Sequence, residues 1–187
     1  MVRFQAGDMD SFADLAGRYS APLARLARRY LKVREDAEEV RQETLLRVYS
    51  RAGTFRSGAS FRPWIYRIAV NLCRDRTRRR QRLQWISLSD ESAETRSLPE
   101  ENTPQGDQVV ATNERVRLLH RLLDQLPEPQ RTVILLKEFE ELKFREIAEI
   151  LDCPESTIKS RLYGGLSTLK SLLHEQDSGP PRMQAVD

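Results

Sequence analysis

The 187-residue sequence predicts an all-α chain: two small helical domains joined by a flexible acidic linker. Three observations carry that prediction. Apolar residues recur at helical spacing in almost every periodic segment. That periodicity fades between about Leu83 and Thr112, where "SLSDESAETRSLPEENTPQGDQ" is rich in Ser, acids and Pro and buries too little apolar area to offset its ordering entropy. Charge is segregated too: Phe61–Arg82 holds eight arginines against Asp75, and Ser87–Gln108 holds six acids against Arg96, within a net charge of only +3. The resulting limits are a first domain over 4–82, a linker over 83–112, a second domain over 113–175 and a disordered tail over 176–187.

The elements follow in order. Phe12, Leu15 and Tyr19, continued by Leu23, Leu26 and Tyr30, form one helical stripe that Pro22 is expected to kink or divide. Asp36 opens the next helix, "DAEEVRQETLLRVYSR", whose early acids suit the N-terminal dipole and whose Val40, Leu45 and Val48 give a buried stripe. "GTFRSGAS" (Gly53–Ser60) reads as a loop. The Phe61 helix repeats Phe61, Trp64, Ile65, Ile68 and Leu72 on one side. After the linker, Val116, Leu119, Leu122, Leu123 and Leu126 share a helix face that stops at "LPEP". "QRTVILLKEFEE", "KFREIAEIL" and "ESTIKSRLYGGLSTLKSLL" follow as helices, with Pro154 placed as the first residue of the last.

Composition narrows the function classes. No run approaches the ~18–20 apolar residues of a membrane helix, and "MVRFQAGDMDSF" lacks a secretory signal's apolar stretch. Two cysteines, Cys73 and Cys153, lie far apart in unlike settings and read as packing residues. His120 and His174 offer no metal-ligand spacing, so no metal or cofactor is expected. A reduced, cytoplasmic protein without membrane insertion is the simplest reading. No nucleophile–base–orienter set is found, so the chain is not expected to be an enzyme.

Two segments carry chemistry. "FREIAEILDCPESTIKSRLYGGL" fits a helix-turn-helix. In its second helix Ile158, Leu162, Leu166 and Leu169 fall on one face. Ser156, Ser160, Tyr163 and Gly164 point the other way, flanked by Thr157, Lys159 and Arg161. A short, polar, basic outer face is what a helix entering the major groove requires. In the Phe61–Arg82 helix, Arg67, Arg74 and Arg78 share an outward strip, with Trp64 and Asn71 at its edges. The arginines suit a phosphate backbone. Rings and an amide beside them suit unstacked bases. The small residues of "TFRSGAS" allow close approach of a chain or base.

As a set, these residues resemble the extracytoplasmic-function (ECF) sigma factors of bacterial RNA polymerase. "DAEEVRQETLLRVYSR" followed by "FRPWIYRIAVNLCRDRTRRR" is similar to that family's domain two, and "LDQLPEPQRTVILLKEFEELKFREIAEILDCPESTIKSRL" to its domain four. The resemblance spans roughly Phe4–Arg82 and Asn113–Glu175. It implies a promoter-specificity subunit that binds core polymerase and promoter DNA, both duplex and opened strand. Asp36, Val40, Gln42 and Glu43 would dock on the coiled coil of the largest subunit, and domain four near the flap. Phe55, Ser57 and Ser60 of the loop would hold a base flipped from the minus-ten element. Trp64, Arg67, Asn71, Arg74 and Arg78 would line the strand junction. Ser156, Thr157, Lys159, Ser160, Arg161 and Tyr163 would read the minus-thirty-five element. The linker would thread toward the RNA exit path, and an anti-sigma factor is an implied partner. Gly164 and Gly165 stand where many relatives place a basic residue, implying a divergent minus-thirty-five preference. The tail is too short for a further sensory domain.

Two other classes fit parts of the sequence. A stand-alone helix-turn-helix regulator would bind a palindrome as a dimer but would leave the arginine block without a purpose. A metal or redox switch would work through Cys73 and Cys153.

Overall fold

The computed structural model describes residues 1–31, 33–89 and 107–177, and every described regular element is helical. The chain divides into two compact units, Met1–Glu100 with Arg145–Asp152, and Glu101–Phe144 with Cys153–Asp187. No helix among the described residues is long and apolar enough to cross a membrane. The linker expected over 83–112 and the tail over 176–187 lie largely outside the described residues.

The first unit is built on three helices that pack pairwise: α2 (Met9–Leu31), α3 (Arg34–Ser50) and α4 (Phe61–Ser89). A short α1 (Val2–Gln5) precedes them. Asp8 caps α2: its carboxylate accepts from the Ser11 amide at 3.1 Å, and its carbonyl accepts from the Ser11 hydroxyl at 2.8 Å. Such caps are worth about 1 kcal/mol. The backbone bond from Ser11, then the Arg3 guanidinium, holds the Asp8 carboxyl below its ordinary value. Leu23, Leu26, Ala27 and Tyr30 of α2 meet Ala37, Val40 and Val48 of α3 and Ile65, Val70 and Cys73 of α4 in the core. Thr44, fully buried, satisfies its hydroxyl on the Val40 carbonyl at 2.7 Å. Pro22 does not divide α2, which runs through it as one element.

α4 continues past Arg82 to Ser89, seven residues into the expected linker. Its one proline, Pro63, sits in the first turn, where the missing N–H has no helical partner to lose. No glycine or proline follows until Pro99, so nothing in the sequence stops the helix at Arg82.

The second unit contains α5 (Asp107–Asp124), α6 (Glu128–Ile134) and α8 (Glu155–Asp177), and α7 (Phe144–Leu151) precedes α8 in the chain. Leu119, expected on the buried face of α5, is 37% exposed, whereas Leu122, Leu123 and Leu126 are buried. "QRTVILLKEFEE" is not one α-helix: after Ile134 it widens into a π-turn over Leu135–Phe139. The extra residue in that turn re-phases the chain, and Leu135, Leu136 and Leu142 are all fully buried. Between α7 and α8, Asp152 takes a left-handed φ of 51° that makes the turn tight. Pro154 stands one position earlier than expected: it caps α8, accepting from the Ile158 amide at 3.2 Å.

α8 lies close on α6 because Gly165 has no side chain. A Cβ there would come 2.8 Å from Ile134 Cδ1 and 3.2 Å from Gln130 Cβ. Gly164, expected on the outer face, instead abuts the flexible end of Gln130, whose Nε2 would lie 3.3 Å from an added Cβ. Leu166, placed inward by simple periodicity, is 39% exposed.

The two glycines therefore predict opposite signs. Gly164→Ala should stabilise the second unit by up to ~1 kcal/mol through helix propensity. Gly165→Ala should destabilise it by up to ~2 kcal/mol, because overpacking outweighs that gain. Amide exchange at Val133 and Leu136 in the full chain would measure both; the same sign in both variants would contradict the packing account.

Candidate nucleic-acid interface

In the first unit, α4 positions most of the predicted residues. Trp64, Arg67, Asn71, Arg74 and Arg78 are spaced three and four apart, which places them on one stripe about 21 Å long at 1.5 Å per residue. Arg67, Asn71 and Arg78 are exposed, and Trp64 and Arg74 half-buried, while Ile65, Ala69, Val70 and Cys73 anchor the opposite face. At the N-terminal end of the stripe the rings form a cluster. Phe55 packs edge-on against Trp64 and Phe61 at 5.3 and 5.9 Å, and Phe61 against Tyr19 at 5.3 Å. Burial in this cluster pushes the Tyr19 hydroxyl above its ordinary value of 10.0.

The loop before α4 splits into a buried stem and an open tip. Phe55 is only 7% exposed, so it fixes the stem rather than lining open surface. Arg56, Ser57, Gly58, Ala59 and Ser60 are exposed. Gly58 has a φ of +86°, a turn conformation that a Cβ would strain.

The arginine block is not uniform. Arg76 donates to Asp36 at 3.3 Å and also to Glu39, and Arg80 lies 4.0 Å from Asp36. These pairs tie α4 to the start of α3, so Asp36 carries a structural role inside the unit. Sequence spacing gave no signal for them, because the partners of Arg76 are 40 and 37 residues away.

The α3 residues expected to meet polymerase are divided. Val40 is 2% exposed and belongs to the core, so it offers no surface. Gln42 is exposed and Glu43 half-buried, with Arg47 donating to Glu43 at 2.7 Å. Both line a shallow groove with Leu46, and with Leu72, Asp75 and Arg79 of α4. Leu46, 63% exposed, was missed by the periodic reading; the signal was the adjacent pair Leu45–Leu46, of which only one can face inward. Glu38, beside this groove, accepts from Arg41 and from Gln42 Nε2 at 3.1 Å.

In the second unit, α8 presents Ser156, Lys159, Ser160 and Tyr163 as exposed residues, Tyr163 at 63%. Ile158, Leu162, Gly165 and Leu169 are buried. Thr157 and Arg161 are half-buried, and Arg161 Nη1 lies 3.6 Å from Cys153 Sγ. Lys159 Nζ sits 5.6 Å from the centre of the Phe144 ring, which Lys137 Nζ also approaches at 4.9 Å. The most open part of the face is thus hydroxyl-rich, with cations at its flanks. Among the described residues no three His, Cys, Asp or Glu side chains group as metal ligands.

An aromatic-to-basic stripe on α4 in the first unit and a hydroxyl-rich, cation-flanked face on α8 in the second are the features of an all-helical protein of the nucleic-acid-binding class. Comparison with known proteins gives the family. Residues 15–83 match the Sigma-70 region 2 model and residues 117–169 the Sigma-70 region 4 model. The chain is 31% identical over 172 residues to the ECF RNA polymerase sigma factor SigW of Bacillus subtilis, covering 90% of this chain and 92% of that one. It is 34% identical over 166 residues to the ECF RNA polymerase sigma-E factor of Haemophilus influenzae, covering 86% of each. A solved structure of the sigma factor RpoE with the anti-sigma factor NepR from Bartonella quintana shares the fold, with a TM-score of 0.70 at 21% identity over 89% of this chain and 99% of that one. The chain belongs to the ECF sigma factors of the sigma-70 family, and is a promoter-recognising subunit of RNA polymerase.

The Glu38 contacts set a pH signature. Hydrogen bonds from Arg41 first, then Gln42, lower its carboxyl from the ordinary 4.5 to about 2. A depressed folded value means the contribution is complete above the ordinary value and is lost as pH falls through about 2. Carboxyl carbon shifts should titrate with that midpoint. Arg41→Ala should raise it more than Gln42→Ala; the reverse order would contradict the assignment.

Proposed function

We propose that the two units divide promoter recognition between them. The α3–α4 groove, with Gln42, Glu43 and Leu46, receives the coiled coil of the largest polymerase subunit. The tip Arg56–Ser60 takes a base extruded from the minus-ten element, which offsets the few kcal/mol of unstacking. Trp64, Arg67, Asn71, Arg74 and Arg78 follow the strand from that base into duplex, Asn71 reading an edge and the arginines neutralising phosphates. Ser156, Ser160 and Tyr163, with Lys159 and Arg161 beside them, read the minus-thirty-five element from the major groove. The supporting observation is the single stripe on α4 that leads from a ring cluster to arginines.

The chain itself makes and breaks no bond; catalysis stays with the polymerase, in the cytoplasm. The solved structure of RpoE with the anti-sigma factor NepR supports a similar partner here. Run-off transcription with purified chain, core enzyme and promoters from its own genome tests the reading. Promoter-dependent transcripts are expected, and no transcript from any of them would end the proposal.

Two substitutions separate the faces. Asn71→Ala should relax base preference at one minus-ten position by about 1–3 kcal/mol, the usual worth of a base contact, with core affinity unchanged. Gln42→Ala should weaken association with core by about 1 kcal/mol or more, as the minority of interface residues that carry binding energy do, and leave duplex binding by the second unit unaltered. Fluorescence anisotropy on a promoter fork and on labelled core reads both. Crossed effects would mean the two faces have been exchanged.

A further inference from the structure

The N-terminal helix reaches the loop that the preceding section gives to the extruded base. Gln5, the last residue of α1, donates from Nε2 to the Ala52 carbonyl at 2.7 Å and to the Phe55 carbonyl at 2.9 Å. Those two carbonyls bracket the 3-10 turn Ala52–Thr54, which forms the stem of the loop. α1 is itself anchored. Phe4 is 9% exposed and packs on Phe12 at 5.0 Å and on Tyr49 at 5.3 Å. Arg3 donates to Asp8, the cap of α2, at 2.8 Å. The amide of Gln5 is therefore held from the α1 side by the ends of α2 and α3, and it grips backbone rather than side chain on the loop side.

We propose that Gln5 is a positioning residue for base capture: it fixes the loop stem so that the exposed tip Arg56–Ser60 is presented in one conformation. This rests on the reading of that tip as the base-binding element. The chemistry is specific to a primary amide. One NH2 group carries two protons, enough to donate to both carbonyls at once. Glutamate has the same shape but only accepts when ionised, so it would face two carbonyl oxygens with no proton to offer. On the far side of the stem, Phe55 is locked by Trp64 and Phe61. The tip thus runs between a pinned residue and the first residue of α4, with the Ala59 amide donating to the Arg56 carbonyl at 3.1 Å inside it. Pre-fixing the tip lowers the ordering entropy that capture of a base must overcome.

The test uses the full chain in four forms: wild type, Gln5→Glu, Gln5→Ala, and the tip variant Ser57→Ala/Ser60→Ala. Amide exchange at Phe55 and Ala59 is read in the free protein. Strand opening is read with core polymerase, by 2-aminopurine fluorescence in a promoter fragment active in the run-off assay. Gln5→Glu should speed exchange at Phe55 and slow opening, each roughly three- to tenfold, the range set by one net hydrogen bond. Its melting temperature and core affinity should match wild type, which a general folding defect would not allow. Gln5→Ala should reproduce both changes, excluding an effect of the added charge. Unchanged exchange, or faster exchange with unchanged opening, overturns the proposal. If the tip variant opens DNA as fast as wild type, the assignment of the loop itself fails, whatever Gln5 does.

Discussion

Burial along one side of α4 is the constraint on which the first unit depends. Ile65, Ala69, Val70 and Cys73 are at most 1% exposed, and α4 packs on both α2 and α3 through them. Full burial of an Ile or Val side chain such as Ile65 or Val70 contributes about 1.5–3 kcal/mol relative to exposure. Those contacts fix the rotation of the helix about its own axis. With rotation fixed, the residues three and four apart on the other side have no choice of direction. The polar stripe is therefore a by-product of core packing, and a surface positioned this way is held in one orientation by the fold itself.

The same economy governs α8, by a different device. Its inward side combines Ile158, Leu162 and Leu169 with Gly165, where a side chain would collide with Ile134. A glycine within a helix costs about 1 kcal/mol of propensity. Here it allows a closer approach to α6 and so sets how far the hydroxyl-bearing outer face stands from its own core. Gly164, placed on the outer face by periodicity, lies against the Gln130 side chain.

Element type was legible in the sequence because helical periodicity is a strong local signal. Ile65, Ile68, Ile158 and Leu162 are buried where spacing put them. Leu119 and Leu166 are not, because a 100° projection cannot know where a neighbouring helix ends. The π-turn after Ile134 escaped for a similar reason: its cause is the joint burial of Leu135, Leu136 and Leu142, a tertiary fact. Of the candidate site, the polar faces were readable and the stem was not. Gln5 acts on carbonyls 47 and 50 residues away, and no spacing rule links an amide to a distant backbone. Val40 shows the converse limit, since a residue on a helix near an interface can still face wholly inward.

The ion pairs of Arg76 and Arg80 with α3 bear on how ionic strength acts on this molecule. Eight arginines between Phe61 and Arg82 invite the assumption that eight phosphates are neutralised. At least two of those cations already have carboxylate neighbours within the fold, so under the proposed reading of α4 fewer counterions are displaced than the arginine count implies. At roughly 0.9 ions per phosphate, two withdrawn cations flatten the logarithmic dependence of affinity on salt by about 1.8. On that reading, binding is less sensitive to salt than the raw charge of the segment suggests.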